Sequence, residues 1–171
     1  MEENEGIITK NEIKKYVQYY HTFLGRKIAN FEANFIDGHT PVNATLLSIG
    51  CGPAIIEKIL YQSRKDIQLF TLDKNKEMLE NIPLHLRPIQ ADAAHLPFVT
   101  SIFDIIVCVT ALEFISEPKE AIHEIHRVLK PKGKLLAFLL NPQSNYVQQK
   151  MKEKDSYIGR NIQQKKIRTL L

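Results

Sequence analysis

Apolar positions along the chain follow two different rhythms. From Thr9 to Asp37 they recur three and four residues apart, at Ile13, Val17, Tyr20, Leu24, Ile28 and Phe31. That spacing predicts an amphipathic helix, with Asn11 as its N-cap and Gly25 as a point where it can divide in two. Gly38 and Pro41 then mark a loop. From Thr45 onward the apolar residues come in short unbroken runs separated by helical patterns. The runs at 46–49, 67–72, 86–91, 103–110 and 134–140 predict five strands. The stretches at 55–63, 76–81 and 118–129 predict helices between them, the last with Pro118 in the first turn, where a missing N–H is harmless. Pro131 and Gly133 end that helix, and after Asn141-Pro142 the chain reads as polar and helical.

Strands that are apolar throughout, rather than at alternate positions, are buried on both faces. Their alternation with helices predicts a parallel α/β sheet covered on both sides, with right-handed crossovers. A chain of 171 residues with 44% hydrophobic and 25% charged residues suits one soluble domain with its own core. The central apolar run, Ile105 to Leu112, has eight residues, far short of the roughly 20 that a membrane span needs. The acidic start of the chain is unlike a secretory signal. Two cysteines, Cys51 and Cys108, without metal-ligand spacing, argue for a reducing cytoplasm and against a disulfide framework or a structural zinc site. The net charge of +4 is uneven: residues 142–171 hold seven basic and two acidic residues, whereas residues 1–141 are nearly balanced. This basic tail fits either a solvated helix face or contact with nucleic acid or another anionic surface.

Candidate chemistry gathers at the ends of the first three strands. The first runs into Gly50-Cys51-Gly52-Pro53-Ala54, a turn that lets backbone approach a ligand closely. Asp73 ends the second strand 23 residues after Gly50, where an acidic side chain accepts hydrogen bonds from ribose hydroxyls. Asp92 ends the third. Open α/β sheets bind ligands at this carboxyl edge. A dinucleotide fingerprint would need a small residue where Ile55 stands, and a phosphate-binding G-x-x-x-x-G-K-[ST] loop is absent. The pattern therefore calls for an adenosine with its ribose and little phosphate.

These residues resemble a known family. Residues 46–54 resemble the first motif of class I S-adenosylmethionine-dependent methyltransferases, and Phe70-Thr71-Leu72-Asp73 resembles their ribose-binding element. Ala91-Asp92-Ala93 with Leu96-Pro97-Phe98 resembles the adenine-contacting segment. Phe103 to Val107 resembles the fourth strand, and Arg127 to Leu135 the helix-to-fifth-strand signature. Together they span about residues 45 to 141 and are most similar to the methyltransferase type 11 group, related to ubiquinone/menaquinone-biosynthesis enzymes. Leu112-Glu113-Phe114 and Asn141 to Ser144 resemble elements of the same group.

The resemblance implies a Rossmann-like doubly wound parallel sheet of order 3-2-1-4-5 with helices on both faces. It also implies three regions: an N-terminal helical lid (1–40), a cofactor-binding domain (41–141) and a basic helical tail (142–171). S-adenosyl-L-methionine is the implied cofactor. Gly50, Cys51 and Gly52 would approach its methionine part and Asp73 its ribose. Lys74 would flank the adenine, Asp92 and the Ala93 N–H would read its edge, and Thr110 and Ala111 would lie beneath the sulfonium. Glu113, just past the fourth strand, is the candidate substrate-facing base; a carboxylate favoured by a helix start fits it equally. Tyr16, Tyr19, Tyr20 and His21 could lid the cofactor or simply pack the first helix down. His123 and His126, three apart, read as helix-surface residues rather than metal ligands, and no metal is expected.

Two departures stand out. The family usually has an acidic residue where Ser48 stands and Gly where Ala54 stands. Loss of one charge-assisted hydrogen bond at Ser48 would weaken the cofactor site by about 1–2 kcal/mol. The family sheet also has sixth and seventh strands, for which this sequence has no counterpart. The fifth strand is then an edge that the tail or a second copy of the chain would cover, or the sequence is a shortened form of a longer protein. The expected acceptor is a small molecule. The alternatives are a nucleic-acid methyltransferase using the basic tail, disfavoured by the lack of an Asn-Pro-Pro-aromatic or Asp-Pro-Pro-aromatic motif, and a non-catalytic or truncated cofactor-binding module.

Overall fold

The computed structural model describes residues 8–153 and residue 158. Its centre is one sheet of five parallel strands: β1 (Thr45–Ile49), β2 (Gln68–Asp73), β3 (Pro88–Gln90), β4 (Phe103–Val109) and β5 (Leu129–Phe138), in the order β3-β2-β1-β4-β5. The helices are α1 (Lys10–His21), α2 (Phe23–His39), α3 (Ile55–Ser63), the single turn α4 (Lys76–Leu79), α5 (Pro118–Val128) and α6 (Asn145–Lys152). The sheet order and its helical cover match the expectation.

Successive strand residues face opposite sides, so the apolar runs supply two cores at once. Leu46, Leu69, Ile105 and Val107 pack with Ala29, Ala33 and Ile36 of α2 and Ile56 and Leu60 of α3. Leu47, Ile49, Leu72, Ile106 and Cys108 pack on the other side with Ala121, Ile125 and Val128 of α5. A fully buried Leu or Ile in such a layer contributes about 1.5–3 kcal/mol. Arg64, just past α3, ties the ends of the first layer together. Its guanidinium meets Asp37 at 2.6 Å, Asp66 at 2.8 Å and the Pro41 carbonyl at 2.8 Å.

The N-terminal helix divides at Thr22, not at Gly25, and its cap is Thr9, not Asn11. Thr9 and Glu12 form a reciprocal capping box, which satisfies the free N–H groups better than a lone Asn11 could. Thr22 caps α2 by accepting from the Gly25 N–H. Gly25 lies within the first turn of α2, where an added Cβ would stand 2.1 Å from the Tyr19 carbonyl oxygen. Its lack of a side chain permits close approach of the two helices rather than a break.

Two strand boundaries also differ from expectation. Leu86 belongs to a 3-10 turn (Leu84–Leu86), and Arg87 in the left-handed region separates it from β3. Pro88 then opens the strand, tolerated because β3 is an edge. At the other edge β5 begins at Leu129 opposite Phe103, then loops out before resuming at Lys134 opposite Ile105. Lys130 clasps this irregularity through Asp104 at 2.8 Å. Among the described residues β5 pairs with β4 alone. The expectation that the tail covers it falls mostly on residues outside those described.

Candidate functional site

The carboxyl ends of β1, β2 and β4 converge on one turn. Gly50 and Gly52 both take left-handed backbone, with φ of 66° and 53°. The N–H groups of Gly50 and Cys51 donate to the Leu72 carbonyl at 2.7 and 3.1 Å, and that of Gly52 donates to Asp73 Oδ2 at 2.8 Å. The second oxygen of Asp73 accepts from the Asn75 N–H at 2.9 Å, and Asn75 in turn caps α4. Asp73 is thus held in one orientation at the end of β2, with lone pairs left for further donors. Burial raises its pKa from the ordinary value, opposed by those backbone donors.

Asp92 stands at the end of the next connection. It accepts from the Ala94 N–H at 3.0 Å and meets Lys74 Nζ at 2.7 Å. Partial burial works against the Asp92 charge, but the Lys74 and Ala94 donors outweigh it and hold its pKa below the usual carboxylate range. Lys74 is well exposed, so it pairs with Asp92 from the solvent side. Ala93 is buried beside Leu96.

Thr110 and Ala111 follow β4. Thr110 is in the left-handed region and donates its N–H to the Phe138 carbonyl at 2.8 Å. Ala111 lies directly against Gly50, where an added Cβ would fall 2.5 Å from the Ala111 Cβ. Glu113 sits in the 3-10 turn Leu112–Phe114 and is fully buried. One of its carboxyl oxygens accepts from the Leu140 N–H at 2.6 Å, and the other is buried without a partner. Burial raises its pKa. The structure therefore places Glu113 at the joint between the ends of β4 and β5.

The tyrosines of α1 approach the same turn. An added Cβ at Gly52 would lie 3.8 Å from both the Tyr16 ring and Met78 Sδ. Tyr16 and Tyr20 pack edge to face, with centroids 5.1 Å apart and hydroxyls 3.4 Å apart. Burial pushes the Tyr20 hydroxyl up to about 12. His123 and His126 lie on α5, and no group of three potential metal ligands occurs among the described residues.

Sequence reasoning missed two carboxyls next to this turn. Glu57, in the first turn of α3, is buried and accepts the Ser48 hydroxyl at 2.5 Å. Glu32, on α2, is buried nearby, and each has an oxygen without a partner. A signal existed: a serine inside an otherwise apolar strand must find a buried partner. Burial, reinforced by the charge of Glu57, pushes Glu32 up to about 7. Tyr16, Tyr19 and Tyr20 from α1 also face Glu32 and feel its charge. A folded pKa above the ordinary 4.5 means that stability is full below that value and is lost as pH rises through about 7. Glu32→Gln is therefore expected to match the native chain in thermal melts near pH 4.5 and to melt higher above pH 7. A difference that does not vary with pH would refute this assignment.

The comparisons with known proteins bear on the family and the fold. A methyltransferase domain family, type 11, matches residues 47–137, more than half of the chain. Uncharacterized protein MJ0638 of Methanocaldococcus jannaschii is 36% identical over 99 residues, covering 58% of this chain and 42% of that protein. The ubiquinone/menaquinone biosynthesis C-methyltransferase UbiE of Haemophilus ducreyi is 34% identical over 73 residues, covering 42% of this chain and 28% of that protein. The chain thus spans less than half the length of these relatives. A solved Methanococcus maripaludis protein, held to be an S-adenosyl-L-methionine-dependent methyltransferase, superposes with a TM-score of 0.69 at 25% identity, over 80% of this chain and 66% of that one. With its 3-2-1-4-5 sheet and its glycine turn beside Asp73, the chain belongs to the class I S-adenosylmethionine-dependent methyltransferases of the type 11 family.

Proposed function

We propose that this chain binds S-adenosyl-L-methionine at the carboxyl edge of the sheet and transfers its methyl group in line to a small-molecule acceptor. The observation that carries the reading is the convergence of the Gly50–Gly52 turn, Asp73 and Asp92 at neighbouring strand ends. The unpartnered buried carboxyl oxygen of Glu57, on the helix after that turn and held by Ser48 from the strand before it, fits a cofactor that carries positive charge.

Asp73 accepts the ribose diol, since its carboxylate is already oriented by Gly52 and Asn75. Asp92 accepts the adenine amino group once Lys74, which is exposed, turns aside. Thr110 and Ala111 form the floor beneath the methionyl part. Tyr16 and Tyr20 close the site from α1 and exclude water. Bound there, the cofactor supplies a sulfonium methyl for displacement, a reaction that asks the protein chiefly for proximity and orientation. A small-molecule acceptor accords with the UbiE relative, whose name places it in ubiquinone/menaquinone biosynthesis.

Calorimetric titration with S-adenosylmethionine and S-adenosylhomocysteine tests the reading directly. The native chain is expected to bind both, and Asp73→Ala to weaken both by about a hundredfold, the effect of losing a charged acceptor for two hydroxyls. Labelled-methyl transfer to candidate quinone or phenol acceptors follows. Absence of binding by a folded chain would overturn the proposal. Binding without turnover on any acceptor would favour a non-catalytic module, and transfer to nucleic acid that weakens steeply with salt would favour the basic-tail alternative.

A further inference from the structure

Glu57 is among the most enclosed polar groups in the described residues. It stands on the first turn of α3 with one oxygen taken by the Ser48 hydroxyl and the other buried without a donor. Glu32 brings a second buried oxygen without a donor from α2. Ser48 lies two residues before Gly50 on the strand that leads into the turn, and packs closely with Glu57, Ile36 and Val107. Tyr16, which closes over Gly52, feels the charges of both glutamates.

Among the described residues no cation is hydrogen-bonded to these carboxyls, although the Lys58 charge favours the ionised Glu57 from a distance. Lys58, the residue after Glu57, directs its ammonium to the Pro53 carbonyl at 3.0 Å and the Asn81 carbonyl at 3.5 Å. Buried polar oxygens without donors are rare in folded proteins, because each forfeits a hydrogen bond it had in water. Two of them beside a ligand turn mark the place where a donor on the ligand belongs. A sulfonium has no N–H to offer. An ammonium has three, enough to serve several acceptors in one pocket.

We infer that Glu57, oriented by Ser48 and assisted by Glu32, receives the α-ammonium group of the methionyl part of the cofactor. This rests on the cofactor reading above and adds to it a residue from α3. It also answers the departure at position 48. Where the family usually has a carboxylate on the strand, this chain has a hydroxyl on the strand that holds a carboxylate from the following helix. Burial raises the pKa of Glu57, opposed by the Ser48 hydroxyl and the Lys58 charge.

The test compares two ligands on the full chain by calorimetry: S-adenosylhomocysteine and its desamino analogue, which keeps the carboxylate and lacks only the α-amino group. The native chain is expected to bind the amino ligand about tenfold to a hundredfold tighter, the range for one charge-assisted hydrogen bond. Glu57→Gln is expected to remove that preference by weakening the amino ligand alone, with affinity for the desamino analogue unchanged. Equal weakening of both ligands would assign Glu57 a purely structural role and overturn the inference. So would a native chain that binds the two alike, a result that needs no variant to fold. Binding of neither ligand by the native chain would overturn the cofactor reading itself, a different outcome from loss of discrimination.

Discussion

Gly50→Ala is expected to lower the unfolding free energy by about 2–5 kcal/mol and to abolish cofactor binding in whatever folded protein remains. Two independent penalties meet at this position. With φ of 66°, any L side chain in the left-handed region costs about 1–2 kcal/mol. The added methyl would also stand 2.5 Å from the Ala111 Cβ, an overlap that must push β1 and β4 apart at their carboxyl ends, at about 1–3 kcal/mol. The two parts can be separated. Ala111→Gly in the Gly50→Ala background removes the overlap but not the backbone penalty, so the double variant should regain roughly the second share in urea denaturation. A Gly50→Ala protein within 1 kcal/mol of the native chain would show that the strand ends yield at little cost, contrary to the close packing of protein interiors.

The same contact explains why the glycine turn was visible in the sequence while part of its purpose was not. Gly50 and Gly52 announce a turn wherever they occur after a buried strand. That Gly50 is small to admit Ala111, 61 residues later, depends on the pairing of β1 with β4, which no local pattern reports. The strands themselves were legible because burial on both faces writes them as unbroken apolar runs. The helix patterns between them fixed the parallel arrangement. Asp73 was legible because it closes such a run.

What was not legible arose from competition between local signals or from distant partners. Thr9 outcompeted Asn11 as a cap because Glu12 completes a reciprocal pair. The helix broke at Thr22 because that residue caps α2, although Gly25 is the commoner signal of a break. The start of β5 was hidden by Pro131 and Gly133, which interrupt the strand by a loop rather than end a helix before it. Ser48 was counted as a missing charge. The carboxyl that the Ser48 hydroxyl meets stands nine residues on, at Glu57, brought back by the helix that follows the turn.

Glu113→Ala is expected to destabilise the chain by about 2–4 kcal/mol, whereas Glu113→Gln is expected to lie within 1 kcal/mol of the native protein near pH 5. The alanine variant empties a fully buried site and removes the acceptor that joins the turn after β4 to Leu140, beyond β5. It also removes a buried oxygen that has no partner, which offsets part of the loss and keeps the figure below that of the largest cavity variants. The glutamine variant keeps the acceptor and mimics the protonated carboxyl that burial favours. Because the folded pKa is raised, the native carboxyl contributes fully below its ordinary 4.5 and loses stability as pH rises through its folded value; glutamine has no such slope. Denaturant unfolding of the three proteins across pH measures this directly. The same glutamine protein separates the two roles the position can hold. As a tie between strand ends it should transfer methyl groups with an unchanged pH profile. As a general base it should lose kcat, and the limb of the profile that reports the base, while remaining as stable as the native chain. An alanine variant as stable as the native protein would remove the tie between β4 and β5 from consideration.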